Sequence, residues 1–290
     1  MRIGCMGEVM LELVPGAGDQ ATLGVAGDSY NTAVYLAHLM GAGHVDYITV
    51  LGTDGLSGRI RDRMRSCNVD DSRILTHPDR VPGLYAIATD AAGERSFTYW
   101  RGTSAARTLY DPDRTPGFSG LTHLFYSGIT LAILPPKNRA RLFATVSRFR
   151  ARGGVVAFDS NYRPRLWESR DTARATIEQA WRTCDIALPS LDDEVALFGD
   201  PDEDAVLARF AGYGLSKGAL KRGAAGPRAL LGDAPDPPEP VPVRDSTAAG
   251  DSFNAGFLAA LISGKDTKAA MAAGHTLAAR VVQHPGAIIL

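Results

Sequence analysis

Short apolar runs alternate with longer amphipathic segments through most of the chain. Residues 45–50, 121–126, 155–158 and 186–188 read as strands, and the opening residues 2–7 read as a first strand. Residues 31–40, 137–152, 171–184 and 251–262 have helical length and apolar spacing. Strand–helix alternation predicts an α/β fold with a mainly parallel sheet and helices on both faces. Ligands of such sheets sit beyond the carboxyl ends of the strands. Asp159, Ser160 and Asn161, and Pro189 with Ser190, follow directly on strands and are placed to line a site.

Two stretches break the alternation. Residues 8–24 and 82–101 carry short alternating segments with no helix between them. Residues 84–89 and 96–100 flank a turn sequence at 90–94, which predicts a hairpin. The expectation is a small sheet of about four strands beside the main one, exposing Leu13, Leu84, Ile87 and Phe97. An antiparallel edge extension of the main sheet is the plainer alternative. Residues 232–240, rich in Pro and Asp, read as a loop.

Composition narrows the class. The chain has 290 residues, 45% hydrophobic and 22% charged, with a formal net charge of −1. That is enough for a large core, and the charge balance argues against a nucleic-acid or membrane-surface partner. Three scattered cysteines and no CxxC argue against a disulfide framework or a structural zinc site. With no targeting segment or bilayer-length apolar run, the expected location is the cytoplasm.

The strongest chemical signal runs from Asp245 to Gly256. Ala248, Ala249 and Gly250 form a small-residue loop opening a helix. The unpaired amides of a helix start favour an anion, and small residues let a phosphate approach. A carboxylate at Asp251 beside an anion site fits a base that takes the proton of a hydroxyl attacking phosphorus. Capping of the helix by Asp251 is the other reading.

These residues resemble the C-terminal signature of the ribokinase-like (PfkB-type) sugar kinases. Residues 26–37 and Leu51-Gly-Thr-Asp54 resemble the N-terminal signature. Pro82-Gly-Leu-Tyr85, residues 93–101, 127–134, Asp159-Ser-Asn-Tyr-Arg163-Pro-Arg-Leu-Trp167, Leu191-Asp-Asp-Glu194 and 284–289 resemble its 2-keto-3-deoxygluconate kinase subgroup. The resemblance spans the whole chain. It implies one domain over 1–290, a three-layer α/β/α core with a mainly parallel sheet, and a β-sheet lid from about 8–24 and 82–101. It also implies ATP, Mg²⁺, phosphorylation of the terminal hydroxyl of a sugar acid, and a homodimer through the lid.

Site residues follow from the same resemblance. Gly27, Asp28 and Asn31 would face the sugar, although Asp28 and Asn31 could instead cap a helix. Tyr85 and Tyr99 match lid tyrosines, with packing as the alternative. Arg101 would lie near the substrate carboxylate, and Arg163 near the substrate or the transferred phosphoryl group. Asn161, Lys221, Gly223, Gly226 and His275 would line the nucleotide side, His275 with packing as the alternative. Ala248, Ala249, Gly250 and Asp251 would be catalytic. Leu191 replaces the Asn of the common Asn-x-x-Glu motif; Glu194 would serve Mg²⁺, directly or through water, and Asp192 and Asp193 could supply acidic ligands through water. Two other readings remain: a fructokinase or ribokinase, and an inactive sugar-binding protein on the same fold. A dinucleotide enzyme is disfavoured, because no GxGxxG follows the first strand.

Overall fold

The computed structural model describes residues 1–16, 18–89, 95–232 and 239–290. The expected turn at 90–94 and positions 233–238 of the expected loop lie outside the described residues.

The first third of the chain holds β1 (Ile3–Met6), β2 (Met10–Pro15), β3 (Ala21–Ala26), α1 (Asp28–Met40), β4 (Val45–Ile48), β5 (Val50–Leu51) and α2 (Gly55–Ser66). The middle holds β6 (Leu75–Thr76), β7 (Gly83–Thr89), β8 (Arg95–Trp100), β9 (His123–Ser127), α3 (Gly128–Ile133), α4 (Pro136–Ala151), β10 (Val155–Asp159) and α5 (Arg170–Arg182). Then follow β11 (Ile186–Ala187), α6 (Leu191–Phe198), α7 (Glu203–Gly212), β12 (Ala219–Leu220), β13 (Arg228–Ala229), α8 (Ala249–Ile262) and α9 (Thr267–Val281).

The main sheet has the order β11-β10-β9-β1-β4, and every pairing in it is parallel. Alternation along its strands sorts side chains into two cores. Ile3, Cys5, Phe125 and Ala157 pack with residues of α1, α2, α8 and α9. Met6, Leu124, Tyr126, Val156 and Phe158 face the other way, against residues of α3 to α7. The result is a helix–sheet–helix sandwich whose strands end together near Ser127 and Asp159. An isolated parallel bridge from Ser190 to Lys221 extends this end of the sheet and brings Lys221 to it.

The second sheet, β3-β2-β7-β8, is separate from the first, so the edge-extension alternative is set aside. Strands β2 and β3 are antiparallel, as are β7 and β8, while β2 and β7 run parallel. Tyr85, Ile87, Phe97 and Tyr99 share one face of it, and Leu84 and Trp100 the other. On the first face the outer-strand residues Phe97 and Tyr99 are exposed, whereas Ile87 is buried beside Met10, Tyr85 and Ala248; Trp100 is exposed on the second. Leu84 packs partly against the core. The exposure expected for Ile87 is therefore wrong: the first face of the lid covers the loop that opens α8.

Candidate active site

Two helix starts meet beyond the ends of the main strands. The N-cap of α1 is Gly27 and that of α8 is Ala248, and neither helix has a side-chain cap. Asp28 and Asn31 lie inside α1, and Asp251 lies in the first turn of α8, so the capping readings of all three fail. Asn31 Oδ1 accepts a long bond from the Gly27 N–H at 3.4 Å, and the other bonds of these side chains run to other elements. Asn31 Nδ2 donates to Asp251 Oδ2 at 2.9 Å, and Thr32 Oγ1 donates to the Asp251 carbonyl at 3.2 Å. Asp28 Oδ2 accepts from Asn161 Nδ2 at 2.9 Å and from Ser127 Oγ.

Gly27 is required by contact. A Cβ there would lie 2.4 Å from the Glu8 carbonyl oxygen. Ala248 adopts the left-handed region, with φ 61°, which turns the chain into α8 and leaves the first amides of the helix without a side-chain acceptor. Burial pushes the Asp251 carboxyl up to about 8, the Asp28 carboxylate adds to the rise, and the Asn31 hydrogen bond opposes it. A carboxyl in that range suits proton transfer near neutral pH.

A second cluster stands beside it. Lys221 Nζ lies 2.8 Å from Asp159 Oδ1 and 3.2 Å from Asn254 Oδ1. Asn254 Nδ2 donates to Asp159 Oδ2 at 2.6 Å. A cavity of about 410 Å³ opens next to this cluster. Lys221, Gly223, Gly226, Ala249, Gly250 and His275 line it, together with Asp192 and Phe253. Burial lowers the pKa of His275, favouring its neutral form. Asn161 is not among the lining residues; it turns to Asp28 instead.

The lid residues separate. Tyr85 is buried, donates to Glu12, and stands opposite the exposed Tyr99 at a ring separation of 5.7 Å. Arg101 is buried and ion-paired with Glu8. Arg163 is mostly solvent-facing, bonded to the Tyr162 carbonyl at 2.9 Å and 3.7 Å from Asp193. Glu194 is wholly buried, pairs with Arg209 at 2.9 Å, and is pushed up to about 7 by burial.

A family model described as pfkB family carbohydrate kinase matches residues 3–290. The chain belongs to the pfkB family of carbohydrate kinases. This kinase is 39% identical to a 2-dehydro-3-deoxygluconokinase of Escherichia coli K12, over 99% of this chain and 97% of that one. Its identity to the 2-dehydro-3-deoxygluconokinase of Dickeya dadantii is 40%, covering 99% and 96%. Among solved structures, a PfkB protein from Polaromonas sp. JS666 superposes with a TM-score of 0.85 at 26% identity, covering 98% and 96%. The aminoimidazole riboside kinase of Salmonella enterica shares the fold of this kinase, with a TM-score of 0.86 at 23% identity, covering 99% and 94%. Among the described residues no helix is long and apolar enough to cross a membrane.

Sequence reasoning left some of the kinase's site unassigned. It placed Asp159 beyond a strand end without giving it the Lys221 pairing. Asn254, three residues after Asp251 on α8, carried a helical-spacing signal. Glu8 and Glu12 carried none, because their partners Arg101 and Tyr85 are 93 and 73 residues away.

Proposed function

We propose that this carbohydrate kinase transfers the γ-phosphoryl group of ATP to the terminal hydroxyl of 2-keto-3-deoxy-D-gluconate, giving 2-keto-3-deoxy-6-phosphogluconate and ADP. For phosphoryl transfer, the carrying observation is Asp251, held by Asn31 in the first turn of a helix with no side-chain cap. The substrate is supported by full-length similarity to named 2-dehydro-3-deoxygluconokinases.

ATP occupies the cavity beside Lys221, with its base toward His275 and its phosphates toward Ala248–Gly250. Asp251 takes the proton of the attacking hydroxyl. The oxygen–phosphorus bond forms as the bond to ADP breaks, and the amides opening α8 with Lys221 stabilise the charge on the phosphoryl oxygens. Gly27, Asp28 and Asn31 face the sugar, with Tyr85 and Tyr99 above it. Arg163, weakly paired, turns to the substrate carboxylate or the moving phosphoryl group.

Mg²⁺ takes oxygen ligands and keeps several waters. Glu194 Oε1 is a buried carboxylate oxygen without a hydrogen-bond partner, and Asp192 on the same helix lines the cavity. Asp192 would hold a hydrated ion through water from the cavity wall; Glu194, buried and paired with Arg209, is not among the residues lining the cavity. When bound, the ion would neutralise phosphate charge. The enzyme works in the cytoplasm as a dimer joined through its lid.

Incubation with ATP, Mg²⁺ and the keto-deoxy acid, followed by ³¹P NMR, should show a phosphate monoester on the terminal carbon. ADP and free phosphate without that ester would reject the assignment.

A further inference from the structure

We propose that Glu8 is a positioning residue that presents Arg101 to the acid group of the substrate. The proposal rests on the sugar-acid reading above. Glu8 lies two residues past the end of β1 and is 1% exposed. Both its carboxylate oxygens are occupied. Oε2 accepts from Arg101 Nε at 2.7 Å and from Arg101 Nη2, and Oε1 accepts from Ser104 Oγ. A core residue thus grips the chain where β8 leaves the lid.

Burial makes this grip necessary. Arg101 is 8% exposed, and an unpaired guanidinium there would carry a large desolvation penalty. The guanidinium is planar, so fixing Nε and Nη2 also fixes the direction of the Nη1 donors. The Tyr99 ring lies on one side, its centroid 5.8 Å from Arg101 Cζ. Gly83 makes room for the pair: a Cβ there would stand 2.9 Å from Glu8 Oε1 and 3.2 Å from Arg101 Cβ. The Glu8 carbonyl also abuts Gly27, at the start of the helix bearing Asp28 and Asn31. One residue therefore touches both Arg101 of the lid and the start of α1.

The pair is neutral, so the lid contributes oriented donors and not spare positive charge. This makes positioning separable from simple electrostatics. Removing the negative charge of Glu8 would tighten an anionic substrate if charge alone mattered. If Glu8 orients Arg101, the same change loosens it.

The test is steady-state kinetics on the full chain, with 2-keto-3-deoxygluconate and ATP varied separately. Glu8→Gln should raise KM for the acid at least tenfold and change KM for ATP less than twofold. Arg101→Met should do the same, and the double variant should be no worse than the worse single one. An unchanged or lower acid KM in Glu8→Gln, with a raised KM in Arg101→Met, overturns the proposal and leaves the substrate reading intact. If neither variant moves the acid KM, Arg101 does not meet the substrate and the proposal falls, while the product assay still judges the substrate. Should Glu8→Gln fail to fold, Gly83→Ala crowds the pair without altering its charge. A several-fold rise in acid KM is then expected, and an unchanged KM overturns the proposal.

Discussion

Asp251 is the residue on which the chemistry turns. Asp251→Asn keeps the side-chain size and should lower kcat by roughly 10²–10⁴. ATP binding, followed by calorimetric titration, should persist, since the nucleotide cavity is lined by other residues. Near-native turnover in a folded variant would remove the base role. Because the carboxyl of the free enzyme is raised to about 8, kcat/KM should climb with pH and level off near that value. A flat profile between pH 6 and 9 would speak against it. Arg163 has a loose partner and is free to serve the ligand, so Arg163→Met should raise the acid KM by a charge-assisted bond, about 1.5–3 kcal/mol. The same variant should leave KM for ATP nearly unchanged if the carboxylate, and not the phosphoryl group, is its target.

Elements hold these residues in place, and the nucleotide loop shows how. Arg222 ties the loop together: Nε bonds the Gly226 carbonyl at 2.9 Å and Nη1 bonds Glu203 of α7 at 3.1 Å. Arg222→Met should loosen the loop and raise KM for ATP several-fold with the acid KM unmoved, and equal changes in both would contradict this. Legibility in the sequence follows the range of the interaction. The alternation of strands and helices is local, so the five strands of the main sheet and the helices α1, α4, α5 and α8 were readable. The helix α8 starts at Ala249 and not at Asp251, because Ala248 takes a left-handed turn that no propensity signals. The Asp251 motif was readable because a helix start and its anion loop are contiguous. Glu8 with Arg101 was not, since a strand-end Glu and a strand-end Arg become a pair only when the second sheet closes on the first.

Across the whole molecule, the lid and the buried carboxyls make separate demands. Trp100 is 59% exposed on β8, on the face opposite Phe97 and Tyr99, and is an apolar surface that a second lid would cover in a symmetric dimer. Light scattering at micromolar concentration should give a dimer mass, and Trp100→Glu should reduce it; a strictly monomeric active enzyme would remove the dimer. Asp251 also ties stability to pH. Its folded pKa is raised, so the native state holds the proton more firmly than the unfolded chain. The stability from this group is full at low pH and is lost as pH rises from about 4 to about 8. Asp251→Asn should therefore raise Tm at pH 8 more than at pH 5, and the reverse order would show that the native carboxyl is not raised. This fold, with this site, phosphorylates a sugar acid in preference to a neutral sugar. The most direct measurement is kcat/KM in an ADP-coupled assay, comparing 2-keto-3-deoxygluconate with fructose and ribose at the same ATP and Mg²⁺. The acid should be preferred by at least a hundredfold; faster turnover of either neutral sugar would overturn the sugar-acid assignment.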